Sequence, residues 1–581
     1  MVEDKTTSFM RSLCMGEIEE DVLLPFPQMA ESEQETLRDI ASALSGLLGP
    51  REEDFRAWDR EGEMPSDFID ELKEFGLFGL VIGEAFGGMG LGNMAYSRTL
   101  QEIARYDASV AVTVGAHSSI GMKGLLLYGT DEQKKRFLPE LATGERVAAF
   151  CLTEPGSGSD AASITTTAVR DGDHWVLNGN KLWITNGGFA RFFTVFAKTG
   201  DAEQRGHMSA FIVPRELEGV STSAHEDKMG IRASSTTMVH FDDVRVPAEN
   251  LLGEEGKGFK VAMHILNSGR TGLGGGSVGA MKKLIQLSTK QATERKQFGK
   301  PIAEYGLIKQ KVGHMVVECY AAEAAVSMVA GLVDAGYEEY AVEAAISKVF
   351  TTEALWRTAD EALQVAGGNG FMREFPYERV LRDCRINRIF EGTNDILRLF
   401  VALTAMNDVA SQLKELSSTM KGLLNDPIKG FGVLSNYAMK HASLQTNLGR
   451  PKGRFTKLHP ALSEEAEGFE TATRQLALAV DRVLRKHGKN IIGKQFASRR
   501  LADIMIDLFV LACVLSRAHA SIEANGEEGA MREIQIAHVF AGQARGRIRR
   551  NFRKIDNNDD ELIKALADGA FEDGKFAWDT I

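Results

Sequence analysis

The sequence predicts a mainly helical, multidomain protein with one β-domain set into the middle of the chain. Three observations carry this expectation. At 581 residues the chain exceeds what one hydrophobic core supports and suggests about three or four domains. Apolar residues recur at helical spacing on both sides of 147–257, a stretch whose short β-branched and aromatic runs are separated by turn signals. The composition, 25% charged and 44% hydrophobic, is that of a chain able to bury a core in each segment.

Residues 30–146 read as an all-helical domain. Phe68, Leu72 and Phe75 recur near a 3.6-residue period, Val110 to Gly129 is apolar and rich in small residues, and the glycines of Glu84-Ala85-Phe86-Gly87-Gly88-Met89-Gly90 mark a loop between helices. In 147–257, His174 to Leu177 and Asn180 to Thr185 read as two strands joined by a type I′ turn at Asn178-Gly179. Phe192 to Ala197, Met208 to Val213 and Thr237 to Phe241 supply further strands, and Val246-Pro247 closes the domain. Residues 258–406 return to helix: the run Ala321 to Ala335 is a strong helix former, and the next helix, about Val342 to Val365, ends at Gly367-Gly368. Residues 407–581 form an additional helical segment, interrupted by a Gly/Pro/Lys-rich loop from Asn447 to Pro460.

The net charge of −12 argues against general nucleic-acid binding, although local Lys and Arg clusters or helix N-termini can still hold a small polyanion. Five scattered cysteines, without CxxC pairs, suit a reducing compartment and no structural metal. The acidic stretch Met1 to Pro27 carries neither an import nor a secretion signal, and no run of 18 or more apolar residues is seen. A bacterial cytoplasmic enzyme is the expectation.

Three motifs carry chemistry. Arg388-Ile389-Phe390-Glu391-Gly392-Thr393-Asn394-Asp395 sets a carboxylate on a glycine-flexed turn after two apolar residues. Burial there raises a carboxylate's pKa and makes it a stronger base toward a carbon acid, although an isolated Glu-Gly pair is more often an ordinary turn. Phe150-Cys151-Leu152-Thr153-Glu154-Pro155-Gly156-Ser157-Gly158-Ser159-Asp160 is a hydroxyl- and glycine-rich loop that lets backbone N–H groups approach a ligand, or equally a plain surface loop. It lacks the Lys-Ser/Thr ending of a P-loop. Trp183-Ile184-Thr185-Asn186-Gly187-Gly188 places an indole and a hydroxyl two residues apart, on one face of a strand. A planar heterocycle fits that pair, though a core Trp is the commoner fate of such a residue.

The ordered set FCLTEPGSGSD, WITNGG, RKQFGKPI, QVAGGNGF and RIFEGTNDILR resembles the acyl-CoA dehydrogenase family over roughly Glu31 to Ala405. The helical tail, with KMGIRAS and VAMHILNSGR, most resembles its very-long-chain branch. The resemblance implies a helical N-domain, a β-barrel-like middle domain, a four-helix-bundle C-domain and the extra C-terminal helical domain, with FAD held between subunits. It implies Glu391 as the base that takes the α-proton of an acyl thioester. Some relatives place that base on another helix, where this chain has Gly269.

Cofactor contacts implied by the resemblance are Phe150, Leu152, Thr153, Ser159, Trp183 and Thr185 around the flavin. Arg295, Gln297 and Phe298 come from the neighbouring subunit, and Gln364, Gly367, Gly368, Thr393 and Asp395 complete the set. An Arg suits phosphate because its fork matches phosphate oxygens. Ser159, Asn267, Arg270, Phe390 and Gly392 fall near the thioester and the CoA chain; a capping Asn and a surface Arg are the plain alternatives for Asn267 and Arg270. Where shorter-chain members have a His-Gln pair, this chain has Tyr305-Gly306.

The activity implied is α,β-dehydrogenation of a medium- to very-long-chain acyl-CoA to trans-2-enoyl-CoA, with electrons passed to an electron-transfer flavoprotein. A free glutamate lies more than roughly ten pKa units below an acyl thioester α-carbon, a gap of over ~10 kcal/mol, so the site must stabilise developing enolate charge. Ala108, Ser109, Ala111, Gly115 and Ala116 either leave a channel for the acyl tail or serve close helix packing. An acyl-CoA oxidase using dioxygen and a non-catalytic assembly factor on the same fold are the competing expectations. The basic and apolar mixture in 436–460 suggests weak peripheral membrane contact, and the tail suggests a homodimer.

Overall fold

The computed structural model describes residues 8–200, 207–422, 442–444 and 453–580. The chain forms two compact units, one made of residues 26–396 and the other of 7–25 with 397–581.

The first unit opens with helices α2 (Glu31–Leu48), α3 (Glu52–Glu61), α4 (Ser66–Glu74), α5 (Asn93–Ala104), α6 (Ala108–Gly115), α7 (Lys123–Tyr128) and α8 (Asp131–Thr143). Phe55, Phe68, Leu72, Phe78, Leu100 and Val114 build their common core. Between α6 and α7 the helix widens into a π-helical turn, Ala116–Gly121, a feature found disproportionately at functional sites. There Gly121 is required: a Cβ on it would lie 2.8 Å from the backbone of Ala148, the first residue of the sheet.

The sheet has strands β1 (Ala148–Cys151), β2 (Thr167–Asp171), β3 (His174–Thr185), β4 (Phe192–Thr199), β5 (His207–Pro214), β6 (Val220–Thr222), β7 (Thr236–Pro247) and β8 (Leu251–Leu252). Its order is β6-β7-β3-β2-β4-β5-β8, with β1 parallel to β4. Phe193, Val195, Phe211, Val213, Val239 and Val244 pack one face, while Phe192, Phe196 and Ile212 join Leu125, Phe137 and Ile265 from the helices on the other.

One expectation is overturned. Asn178-Gly179 is not a hairpin turn; β3 runs through it and pairs antiparallel with β7, slipping register between Leu177 and Gly179. The Asn178 carboxamide accepts from the Asp243 N–H and donates to its carboxylate, both at 2.9 Å, so the bulge is tied across the sheet. The hairpin lies one step earlier, where Asp171 pairs His174 around Gly172 at φ +61°. A second register slip, between Lys181 and Ile184, accompanies Trp183 at φ +57°.

Three long helices follow: α9 (Gly258–Glu294), α10 (Gly306–Asp334) and α11 (Ala341–Ala366), which pack on one another, α9 and α10 also packing on α5. Helix α11 ends on Gly367 at φ +62°, as the sequence predicts. After α12 (Gly368–Phe371) and α13 (Tyr377–Cys384) comes α14 (Asn394–Ala405), within which the division between units falls. Contrary to the sequence expectation, two stretches, Ala108–Tyr128 and Gly306–Asp334, are long and apolar enough to cross a membrane by length and composition; two-thirds of each apolar window is buried inside the protein.

The second unit gathers α15 (Asn407–Gly422), α16 (Ser463–His487), α17 (Gln495–Gly529) and α18 (Met531–Asp556) around Phe469, Leu476, Val480, Leu508, Phe509 and Phe540, while α19 (Asp560–Asp573) buries no residue and is tied to α17 by the Arg500–Asp560 ion pair. A short helix from the start of the chain, α1 (Phe9–Cys14), belongs to it: Phe9, Met10 and Leu13 are buried, Phe9 packs on Phe509, and Arg11 holds Asp408 in a two-point ion pair. Most of the segment proposed to touch membrane, including Lys440, His441, Arg450 and Lys452, lies outside the described residues.

Candidate active site

Glu391 follows a short helical turn, Arg385–Arg388, and sits in the left-handed region at φ +58°, directly before Gly392 at φ +89°. A non-glycine residue holds that conformation only when its surroundings enforce it. Two buried cations do so here. The Arg270 guanidinium on α9 donates from Nε to the Glu391 carbonyl at 3.3 Å and from Nη1 to Asn267 Oδ1 at 2.8 Å. The Lys348 ammonium on α11, fully buried, donates to the Gly392 carbonyl and to Asn394 Oδ1, both at 2.8 Å. Thr393 then caps α14 by accepting from the Ile396 N–H.

The carboxylate is the chemical centre. Its Oε2 is buried without a hydrogen-bond partner. Burial pushes the Glu391 pKa up to about 7, and the nearby Arg270 and Lys348 charges pull against that rise. Burial in turn brings Arg270 down to about 10, with Glu391 opposing.

Glu391 opens into a cavity whose head is formed with Phe390, Gly269, Ile120 and Thr185. Along it, α9 presents Gly272, Gly276 and Ala280, and α6 presents Ala108, Ala111 and Gly115, with Ala116 following. Four of the five small residues singled out from sequence therefore line a cavity; Ser109 instead takes the Asp107 cap of α6. Buried Asp107, Arg379 and Asp383 also reach its wall.

The loop after β1 is pinned by a buried ion pair that sequence reasoning missed: Lys181 Nζ lies 2.7 Å from Glu154 Oε1, and Glu154 also accepts from the Thr165 and Thr166 N–H groups. Burial pushes Glu154 up, but Lys181 and these hydrogen bonds outweigh it and hold the carboxyl at about 2. On this frame Leu152 is buried, Phe150 packs its ring on Phe196, the Thr153 carbonyl accepts from the Leu182 N–H, and Ser159 is exposed. The bulge in β3 turns Trp183 outward, 60% exposed, while Thr185 reaches the cavity.

Other site residues lie apart from the cavity within this chain. Arg295, Gln297 and Phe298 are exposed on a hairpin whose turn, Phe298 at φ +50° and Gly299 at φ +85°, has the type I′ signature. Phe298 is 94% exposed. Tyr305 braces this hairpin, donating to the Gln297 carbonyl at 3.0 Å and packing edge-on to Phe298. Gln364, Gly367 and Gly368 are exposed at the end of α11, and Asp395 is exposed in the first turn of α14.

These surfaces suit a flavin dinucleotide. Trp183 offers a bare indole face beside a hydroxyl, and Gly156, Gly158, Gly367 and Gly368 have open space where a Cβ would stand, so backbone amides there are approachable. Among the described residues no group of His, Cys, Asp and Glu could hold a metal ion.

A helical domain, a β-domain and a helical domain thus surround a glutamate whose carboxylate is buried at the head of a largely apolar cavity. Family models match in the same order: acyl-CoA dehydrogenase N-terminal domain at 32–145, middle domain at 149–244, C-terminal domain at 256–406, and the ACAD9/ACADV C-terminal domain at 460–575. The chain belongs to the acyl-CoA dehydrogenase family. It is 43% identical over 563 residues to the human mitochondrial very long-chain specific acyl-CoA dehydrogenase, covering 95% of this chain and 85% of that one. A probable acyl-CoA dehydrogenase of Bacillus subtilis is 37% identical, over 86% of this chain and 82% of its own length. The crystal structure of an acyl-CoA dehydrogenase complexed with FAD from Bacillus anthracis superposes with a TM-score of 0.80 at 34% identity, covering 96% of this chain and 94% of that one. The protein is thus an FAD-dependent acyl-CoA dehydrogenase.

Proposed function

We propose that this enzyme converts medium- to very-long-chain acyl-CoA thioesters to trans-2-enoyl-CoA with Glu391 as the base, and passes the electrons to an electron-transfer flavoprotein. The observation that carries this reading is the unpartnered, buried Oε2 of Glu391 at the head of the cavity. FAD supplies the acceptor for the β-hydride when bound. Glu391 supplies the complementary half: near neutral pH a large share of it is ionised, desolvated and free of any hydrogen bond that would have to break before it accepts the α-proton. Arg270 holds the Glu391 carbonyl, which orients the following peptide and the turn that presents the carboxylate.

The cavity supports a long acyl tail. From Gly269 to Lys283, both at its wall, α9 spans roughly 21 Å, the reach of an extended chain of about 16 carbons. The side chain absent from Gly276, where a Cβ would meet only Ala104 Cβ at 3.8 Å, leaves space open along this stretch. The exposed apolar residues Phe298, Leu307, Phe371 and Met372 favour a homodimer in which Arg295, Gln297 and Phe298 reach the partner's cofactor.

Anaerobic flavin bleaching across saturated acyl-CoAs of increasing length tests the reading. Bleaching should strengthen toward the long chains; a preference for four-carbon substrates would overturn the chain-length assignment. Release of hydrogen peroxide in stoichiometric amounts would replace the flavoprotein acceptor with dioxygen.

A further inference from the structure

The largest fully buried side chains among the described residues include two lysines, and one of them, Lys348, lies beneath the turn that carries Glu391. Lys348 sits in the middle of α11 with no solvent exposure, and its Nζ is 2.8 Å from both the Gly392 carbonyl and Asn394 Oδ1. A lysine is almost never fully buried without a specific reason, because desolvating an ammonium costs several kcal/mol. The partners here are the two residues around Thr393 on the catalytic turn. Asn394 is itself fixed: its Nδ2 donates to Thr352 Oγ1 at 3.1 Å and to Glu353 Oε1 at 3.3 Å, so one turn of α11 holds the turn from below.

We propose that Lys348 is a positioning residue for the base: by gripping the Gly392 carbonyl and Asn394 it keeps Glu391 in its left-handed conformation and presents a buried positive charge to the carboxylate. The inference deepens the proposed reaction and rests on Glu391 being its base. Glu391 at φ +58° and Gly392 at φ +89° form two consecutive left-handed residues. Arg270 from α9 holds the carbonyl of the first and Lys348 from α11 that of the second, so the pair of cations fixes both peptide planes. These are the charged groups that act on Glu391, each opposing the rise that burial imposes. Facing Lys348, Glu353 acts through the Asn394 carboxamide.

Of the two cations, Lys348 is the one whose removal separates charge from shape. In Lys348→Met the stem is kept and the ammonium lost, so the Glu391 titration midpoint should rise by about one unit from about 7; at pH 7 the ionised fraction then falls about fivefold. The midpoint is read directly, without turnover, as the pH titration of the carboxyl infrared band that disappears in Glu391→Gln. Flavin bleaching by an acyl-CoA should fall at pH 7 and recover at pH 9, and Lys348→Arg should return the midpoint toward wild type. Should Lys348→Met fail to fold, Asn394→Asp places a neutralising carboxylate against the same ammonium and should raise the midpoint likewise. A folded variant of either kind with an unmoved midpoint overturns the proposal. The infrared titration reports on Lys348 even if Glu391 proves not to be the base, whereas intact bleaching by Glu391→Gln would overturn the reaction alone.

Discussion

Gly269 faces Glu391 across the head of the cavity so closely that a Cβ on the glycine would lie 2.9 Å from the carboxylate Oε2 and 2.7 Å from Ile120 Cγ2. The carboxylate occupies the space that the glycine leaves. Gly269→Ala should therefore push Glu391 off its position in a protein that still folds, because the helix conformation at this site suits alanine. Bleaching should slow by about tenfold or more for a displacement near 1 Å. Unchanged bleaching kinetics in Gly269→Ala would show that the carboxylate has another resting place.

Glu391→Gln should give a folded, yellow protein that binds acyl-CoA and does not bleach under anaerobic conditions. Retained bleaching would assign the proton to another group.

The raised pKa of Glu391 has a sign for activity and the opposite sign for stability. Activity should climb as pH rises through about 7, where the base ionises. Stability behaves otherwise: the native carboxyl holds its proton up to about 7 and the unfolded one only to the ordinary glutamate value of 4.5, so native stability declines between those pH values. Glu391→Gln removes that penalty, and its melting temperature should exceed wild type at pH 8 and match it near pH 4. The stability difference at pH 8 is bounded at about 3 kcal/mol. Equal melting temperatures at pH 8 would refute a desolvated, ionised carboxylate.

Glu154 and Lys181 predict a contrasting case. Removing one partner, as in Lys181→Met, leaves a buried charge and should cost about 3–5 kcal/mol, whereas replacing both with apolar residues should cost far less. Denaturant midpoints of the two single variants and the double variant make the comparison. Because Glu154 is held at about 2, its stabilising share is present above the ordinary glutamate value of 4.5 and is lost as pH falls toward 2.

Gly276 tests the channel. A Cβ there meets only Ala104 Cβ at 3.8 Å, so a small side chain is accommodated and a large one projects into the cavity. Gly276→Leu should lower kcat/KM for a 16-carbon substrate by about tenfold while sparing a six-carbon one, a loss of about 1.4 kcal/mol in transition-state binding. Equal losses for both lengths would remove the acyl tail from this stretch of α9.

Much of this was legible in local pattern. The strands at 192–199, 207–214 and 236–247 announce themselves by β-branched and aromatic runs, and the end of α11 by its glycine pair. The ordered motifs around the site point to Glu391 as the base. Asn178-Gly179 misled because its turn propensity is local, whereas β3 is held by pairing with β7 and by Asp243, residues remote in sequence. Asp171-Gly172-Asp173 carried the better signal. Lys348 and Lys181 were invisible for a related reason: a lysine in a helix or strand reads as a surface residue, and only packing from elsewhere buries it. The glycines of α9 were a signal that went unused, since a helix interior tolerates so many only where close approach or open space requires them.

Helix α1 shares its core with Phe509, five hundred positions later. At roughly 5–20 residues per second, a ribosome needs about 25–100 s between making the two. The apolar side chains Phe9, Met10 and Leu13 therefore gain their full cover only when the last helices of the chain have been made.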